Sequence, residues 1–520
     1  MAELSRKRAR FFGNIDIDAR KLERLFKNIA AGEDPADRLA TSRQQLGKAF
    51  CKQYEEVEAV EELELIEGGT FKWHTASFSQ MFQVVCRESP RYKELVLQAF
   101  LNIPPSADYP WDLIIYADEV TPGNILRVDN RRKLWAFYTA VKQLGPIALK
   151  SETCWLPLGI LRTNKVKLLQ GGVSAAFVAL LGRMFLAEKL CDSDGGVVAD
   201  IGAASGVARL FFRLSNVLAD GDALRALFGS KGAFGKLPCL CCKNVVRGDC
   251  AASTYLQPLS CNEPTLFDLA TDAEVSYKAD MLAEAFNTAP TGQFEELETA
   301  LGITHNAHGL LAARQLRPYV PPISVLTYDS MHILVSGGLA QNEVGLLMDD
   351  LDWHGHGWLQ VKQIMTADLE WRWCGGHGIS RGQLRGLFSE AKRKASKHSS
   401  FKCQASEIVL LLPILSHFLW SISAALTEEL RRKADSLAKL CEVVGLCKQA
   451  KAGRGFSAQL ACAIKAHAEA FANAYPDFEV KTQNNRAFHL PAQVERDSYL
   501  VDCFAGERKQ DYQDVSRENA

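Results

Sequence analysis

The sequence predicts an α/β protein: a mixed sheet interrupted by a large, mainly helical insertion, with a helical N-terminal region. Three observations predict it. Three apolar runs follow one another closely between residues 113 and 161. A helical stretch and a fourth apolar run ending in acid come next. From about residue 330 to 480 the pattern is largely helical.

The elements follow in order. Residues 12–105 read as mainly helical, with helical periodicity from Ile15 to Ile29 and an acidic stretch from Glu55 to Glu64. Pro104-Pro105 and Tyr109-Pro110 break that pattern. Leu113-Ile-Ile-Tyr-Ala-Asp118 is a buried strand ending in acid, and Thr121-Pro-Gly-Asn124 a tight turn after it. Lys133 to Val141 and Cys154 to Leu161 are the second and third strands. A helix follows near Val173 to Leu190, and Val207 to Leu218 is a strand running into Asp220 and Asp222. Residues 230–330 are loop-rich and hold most of the clustered cysteines. Glu407 to Leu446 is the longest helical stretch, and Phe488 to Glu518 holds a short apolar segment and then a polar helix. This divides the chain into 1–109, 110–229, 230–480 and 481–520.

Composition narrows the class. With 520 residues, 47% hydrophobic and 23% charged, the chain can bury a large core, so global disorder is excluded. Sixty Lys and Arg against 61 Asp and Glu give a net charge of −1, so nucleic-acid binding must use a local patch. The best such patch is Lys392 to Lys397, most simply a solvated helix face. Fifteen cysteines without a regular framework favour a reducing compartment, nucleus or otherwise cytoplasm. The basic Ser5 to Arg10 has no apolar run after it, so a secretory leader is not expected. Ile408 to Leu426 is long and apolar but contains Pro413, Ser416, His417, Ser421 and Ser423. It reads as a buried helix rather than a membrane span.

Several residues carry chemistry by type and position. Asp118 ends a strand, where a carboxylate can face a cleft, and Asp220 does the same, with Asp222 competing for the role. Two carboxylates from neighbouring strands can hold a divalent ion through hard oxygen ligands. Cys239 and Cys242 form a CxxC with Cys241 inside it, half of a tetrahedral zinc site, and Cys250, Cys261 or a distant His can complete it. Asp329 and His332 form a DxxH, a pair that orders a loop or shares one helix face. His489 lies in Phe488-His-Leu-Pro491, and Glu507 on the first turn of a terminal helix. His354, His356, Cys374 and His377 have metal-binding types within a Trp- and Gly-rich loop. Asp200 to Gly206 mimics the glycine loop of a nucleotide-binding fold, with Asp220 where a ribose-binding acid would sit. That loop supports an alternative, a methyl-donor-dependent methyltransferase.

Three strands, a helix and another strand ending in acid is the order of a ribonuclease-H-like core. Tyr116-Ala-Asp-Glu-Val-Thr-Pro-Gly-Asn124, the acid-ended strand with its CxxC, the DxxH and the His-Leu-Pro segment before Cys503-Phe-Ala-Gly-Glu-Arg-Lys509 complete a set. Together, over about residues 110–510, they resemble the DDE/D transposases with a large insertion, as in the CACTA, Plavaka-like, hAT and Transib lineages. The resemblance implies that Asp118, Asp220 and Glu507 are catalytic acids holding two Mg²⁺ (or Mn²⁺) ions for phosphodiester cleavage and strand transfer. It implies DNA as partner, at element ends, and a homo-oligomer. In the Transib lineage and its domesticated recombinase relatives, a CxxC and a His pair clamp the insertion onto the core through Zn²⁺. Here that implies Cys239, Cys242 and His489, but the other His falls near Asn484 or Asn485, and Asn is a poor substitute. This departure supports a second alternative, a domesticated, catalytically inactive DNA-binding or scaffold protein derived from a transposase.

Overall fold

The computed structural model describes residues 56–120, 133–204, 206–248, 253–353 and 400–503, with short pieces at 385–389, 391–392 and 396. It is an α/β protein with a mixed seven-stranded sheet and a largely helical C-terminal region.

The chain opens on a hairpin. Strands β1 (Glu58–Glu64) and β2 (Thr70–Ala76) pair antiparallel around Gly68 and Gly69, both with φ near +80 to +90°. This corrects the helical reading over residues 58–76. Burial in β1 alternates, with Ala59 and Leu63 inside and Glu58, Glu62 and Glu64 outside. That is the period of a strand, and two glycines supply the left-handed turn. Helices α1 (Phe78–Glu88) and α2 (Pro90–Asn102) follow as expected. Ser77 and Ser89 cap them by accepting from Gln80 N and Tyr92 N. Ile15 to Ile29 lies outside the described residues.

Strands β3 (Trp111–Val120), β4 (Leu134–Val141) and β5 (Leu156–Arg162) form an antiparallel meander. They match the three apolar runs. β4 is buried along its whole length, as a strand covered on both faces must be. Helix α3 (Gly172–Gly182) follows. The next apolar run is not one strand but two. β6 (Val197–Ala203) and β7 (Gly206–Leu210) form a separate antiparallel hairpin, and β8 (Phe212–Ala219) enters the main sheet beside β3. The chain changes sheets at Phe211. Its carbonyl accepts from Trp111 N, and Phe212 N donates to Leu190 O, which pins the crossing.

Helix α4 (Gly221–Phe228) leads to a loop region where β9 (Val245–Val246) and β10 (Gln257–Pro258) pair in parallel. Helices α5 (Asp272–Thr288) and α6 (Thr291–Leu301) follow. Within the range read as insertion, strand β11 (Leu326–Tyr328) joins the main sheet, parallel to β8. The full order is β1-β2-β5-β4-β3-β8-β11.

The remaining helices are α7 (Ser330–Leu334), α8 (Leu339–Trp353), α9 (Ala405–Ser421), α10 (Glu428–Ala450), α11 (Ser457–Ala474), α12 (Thr482–Ala487) and α13 (Leu490–Asp497). The apolar stretch at 408–426 is mostly α9, with Pro413 inside it and Ile408, Leu411, Leu415 and Phe418 buried. Among the described residues no helix is long and apolar enough to cross a membrane. The core is continuous from the sheet into these helices. At its N-terminal side Phe212 meets Phe78 at 5.1 Å and Phe82 at 5.4 Å between ring centroids, both edge-on.

Candidate functional site

Three parallel strands end at one edge of the sheet. The ladder pairs Tyr116 with Leu218 and Tyr328 with Ala219. Asp118, Asp220 and Asp329 therefore follow on three adjacent strands. Each is fixed by its own backbone context. Asp220 caps α4, its Oδ1 accepting from Ala223 N at 2.6 Å. Asp329 caps α7; its Oδ2 accepts from His332 N at 2.9 Å and lies 2.7 Å from His332 Nδ1. Its Oδ1 accepts from Cys503 N at 3.0 Å. Asp118 Oδ2 accepts from the Tyr116 hydroxyl at 2.9 Å.

Their electrostatics differ. Burial, then the charge of Asp220, pushes Asp118 up to about 6, against the Tyr116 hydrogen bond and the pull of His332. Asp329 is fully buried, which raises its pKa, but hydrogen bonding and charge from His332 outweigh this and hold it below the usual range.

A cavity of about 270 Å³ opens at this edge, with Asp220, Asp222, Arg225, Asp329, His332 and Arg486 in its wall. Asp222 is exposed and pairs with Arg225 at 3.4 Å. Arg486 lies over the Tyr328 ring, and its buried Nε has no hydrogen-bond partner. A Cβ at Gly221 would overlap Arg486 Nη1, so only glycine lets the first turn of α4 come this close.

The cysteine motif lies on the other side of Tyr328. Cys239 Sγ and Cys242 Sγ are each 3.3 Å from His489 Nε2, and the three ligand atoms lie within 4.8 Å of one another. The Tyr328 hydroxyl is 3.3 Å from Cys239 Sγ. Hydrogen bonds from Cys241 and Cys242, with help from His489, hold the Cys239 thiol well below its ordinary pKa. Cys242 is pushed up, first by sharing its hydrogen bond with Cys239 and then by burial. This buried group could hold a metal such as zinc, which takes two thiolates and an imidazole readily. Asn485 is 1% exposed, its side-chain amide reaches Cys242, and neither amide atom has any other hydrogen-bond partner. Cys261 lies apart, against Glu263 O at 3.7 Å, and Cys250 is outside the described residues.

Other sequence candidates fall as follows. Glu507, His354, His356, Cys374 and His377 lie outside the described residues, as does most of Lys392 to Lys397. Asp200 to Gly206 belongs to the β6–β7 hairpin: Asp200 to Ala203 form the end of β6, and Gly206 opens β7 opposite Ala203. Asp200 pairs there with Lys93 at 2.8 Å and accepts from Gly202 N at 2.9 Å. No strand-to-helix cradle for a nucleotide forms from it. Asp329, which the sequence offers only as the partner of His332 in a pair that orders a loop or shares one helix face, also shares the acidic edge. Arg486 was not singled out, because one arginine on a short helix carries no pattern. No family model matches the chain, and no curated protein matches it.

Proposed function

We propose that this chain cleaves DNA phosphodiester bonds in a divalent-metal-dependent reaction, as a transposase-like protein with a ribonuclease-H-like core. One observation carries the reading: Asp118, two residues before the end of β3, and Asp220, directly after β8, lie on neighbouring parallel strands, close enough that the charge of Asp220 raises the Asp118 carboxyl. Two such carboxylates repel, and a cation between them relieves the repulsion. The donor set fits Mg²⁺ or Mn²⁺, with Glu507 as the expected third acid. Cys503 already bonds to Asp329 at the pocket, four residues before Glu507. When bound, the ions activate an attacking oxygen and stabilise a leaving one.

The chain's own residues supply the rest. Tyr116 fixes the rotamer of Asp118. Arg225 and Arg486 would meet phosphate oxygens from the cavity wall. Asp329 orients His332 through Nδ1, which makes Nε2 the atom that would carry a proton. The antiparallel β5-β4-β3 set, followed by β8 and β11 parallel to β3, supports the fold reading. Zinc on Cys239, Cys242 and His489 would clamp the loop region to the C-terminal helices. The partner is then DNA, at element ends, with a homo-oligomer acting in the nucleus. The second reading, a transposase-derived protein that binds DNA without cleaving it, draws on Asn484 or Asn485 standing where a histidine is expected.

Nicking of supercoiled plasmid in Mg²⁺ or Mn²⁺ tests this. Asp118→Asn and Asp220→Asn should abolish nicking, and Asp222→Asn should leave most of it. Wild-type protein that binds DNA but does not nick supports the second reading. Nicking untouched by Asp118→Asn overturns the first.

A further inference from the structure

The Cys239, Cys242 and His489 group offers three ligand atoms, and a closed zinc site has four. The structure carries a candidate for the fourth. Asn485 is four residues before His489, along helical chain broken only at Phe488–His489, so both project to one side. Its side chain is buried at 1% exposure, and beyond the approach of the amide to Cys242 neither Oδ1 nor Nδ2 has a partner. A buried amide left short of partners is costly, so such a group calls for an occupant of the site. The neighbouring alternatives are weaker. Cys241 Sγ is hydrogen-bonded to Cys239 and Tyr328 and does not lie within 4.8 Å of all three ligand atoms. The Tyr328 hydroxyl is engaged with Cys239, as an outer hydrogen bond to a ligand sulfur.

We propose that Asn485 Oδ1 is the fourth ligand of a zinc ion held by Cys239, Cys242 and His489. The inference rests on reading those three residues as a zinc site, and not on the cleavage chemistry. In this arrangement Oδ1 gains the metal as its partner, while the amide keeps its approach to the Cys242 sulfur. An amide oxygen is a weaker zinc ligand than imidazole or thiolate. The site is therefore one strong ligand short of a Cys₂His₂ centre, and it binds zinc more loosely.

The test uses the full chain, stripped of metal under reducing conditions and titrated with Co²⁺, then with Zn²⁺ against a chelator. Wild-type protein should bind one ion per chain, with thiolate charge-transfer bands and the strong visible bands of tetrahedral Co²⁺. Asn485→Ala should weaken Zn²⁺ binding by roughly 10–100-fold and shift the visible bands as water replaces the amide. Asn485→His should tighten Zn²⁺ binding at least about tenfold. Unchanged affinity and spectrum in Asn485→Ala would overturn the ligand assignment while leaving the three-residue site standing. If Asn485→Ala does not fold, Asn485→His decides, and equal or weaker binding overturns the assignment. No Co²⁺ binding by wild-type protein, or binding indifferent to Cys242→Ser, removes the zinc reading itself and the assignment with it.

Discussion

The guanidinium of Arg486 lies over the ring of Tyr328, 5.4 Å from its centroid. Tyr328 is held on every side. Its backbone N–H donates to Gln493 Oε1 at 2.8 Å, its carbonyl accepts from Gln493 Nε2 at 2.9 Å, and its hydroxyl meets Cys239. One ring thus forms the wall between the cysteine group and the acidic cavity. It holds Arg486 in that cavity, and among the described residues no carboxylate pairs with it. A guanidinium in this state is available to a phosphate. Arg486→Gln should weaken DNA binding and lower the slope of log K against log salt by about 0.9, the loss of one phosphate contact. Fluorescence anisotropy over a salt series measures it. An unchanged slope means that Arg486 meets no phosphate.

Asp118 makes stability depend on pH. Its folded pKa, about 6, lies above the 3.8 of a free carboxyl. Between these values the folded state holds more protons than the unfolded, so stability falls as pH rises through the window. The contribution is complete below about pH 4 and is lost above about pH 6. Asp118→Asn removes the dependence. Its stability relative to wild type should rise on the order of 2–3 kcal/mol between pH 4 and pH 7.5. Urea unfolding at both pH values reads the difference. Mg²⁺ at pH 7.5 should recover stability in wild type and not in the variant.

Asp497 anchors α13 to the sheet from a buried position. It accepts from Lys142 Nζ at 2.7 Å, from Asn216 Nδ2 at 2.9 Å and from Arg496 at 2.9 Å. Burial raises its pKa, but Arg496 and Lys142 outweigh this and keep it charged. Asp497→Ala strands the Lys142 ammonium, whose side chain is 11% exposed. Breaking a buried pair from one side costs about 3–5 kcal/mol. The unfolding free energy from urea titration should fall by that amount, through a lower midpoint with little change in m. A shift below about 1 kcal/mol would show that water takes over the role of Asp497.

The parts of the fold that could be read from sequence share a physical cause. β3 and β4 are central and largely buried on both faces, and β5 is mostly apolar with Ile160 and Arg162 exposed, so each is an apolar run that needs no neighbour to be recognised. β1 is an outer strand whose exposed positions are three glutamates and Val60, and its alternation looks like a charged helix until the Gly68-Gly69 turn is given weight. β11 has only three residues, too few for any periodicity, so the role of Asp329 was hidden with it. The break at Phe211 depends on partners far away in sequence, Trp111 and Leu190. At the site, CxxC spacing and the His-Leu-Pro segment singled out the three residues that converge at 3.3 Å. The under-bonded amide of Asn485 could be seen only once burial was known.

Gly221 offers a way to disturb the cavity without touching its acids. It is the first residue of α4, directly after the cap Asp220, and its backbone is not left-handed. Alanine suits that backbone and is a better helix former than glycine by about 1 kcal/mol in a helix interior, less at an end. The methyl it brings would overlap Arg486 Nη1, the far end of a flexible side chain that can move away. Gly221→Ala should therefore leave stability equal or slightly higher while displacing the guanidinium. DNA affinity should fall with the same loss of salt slope as in Arg486→Gln. The double variant should be no worse than Arg486→Gln alone, since both changes act through one group. Additive losses of affinity in that cycle would show that Gly221 serves the site by some route other than Arg486.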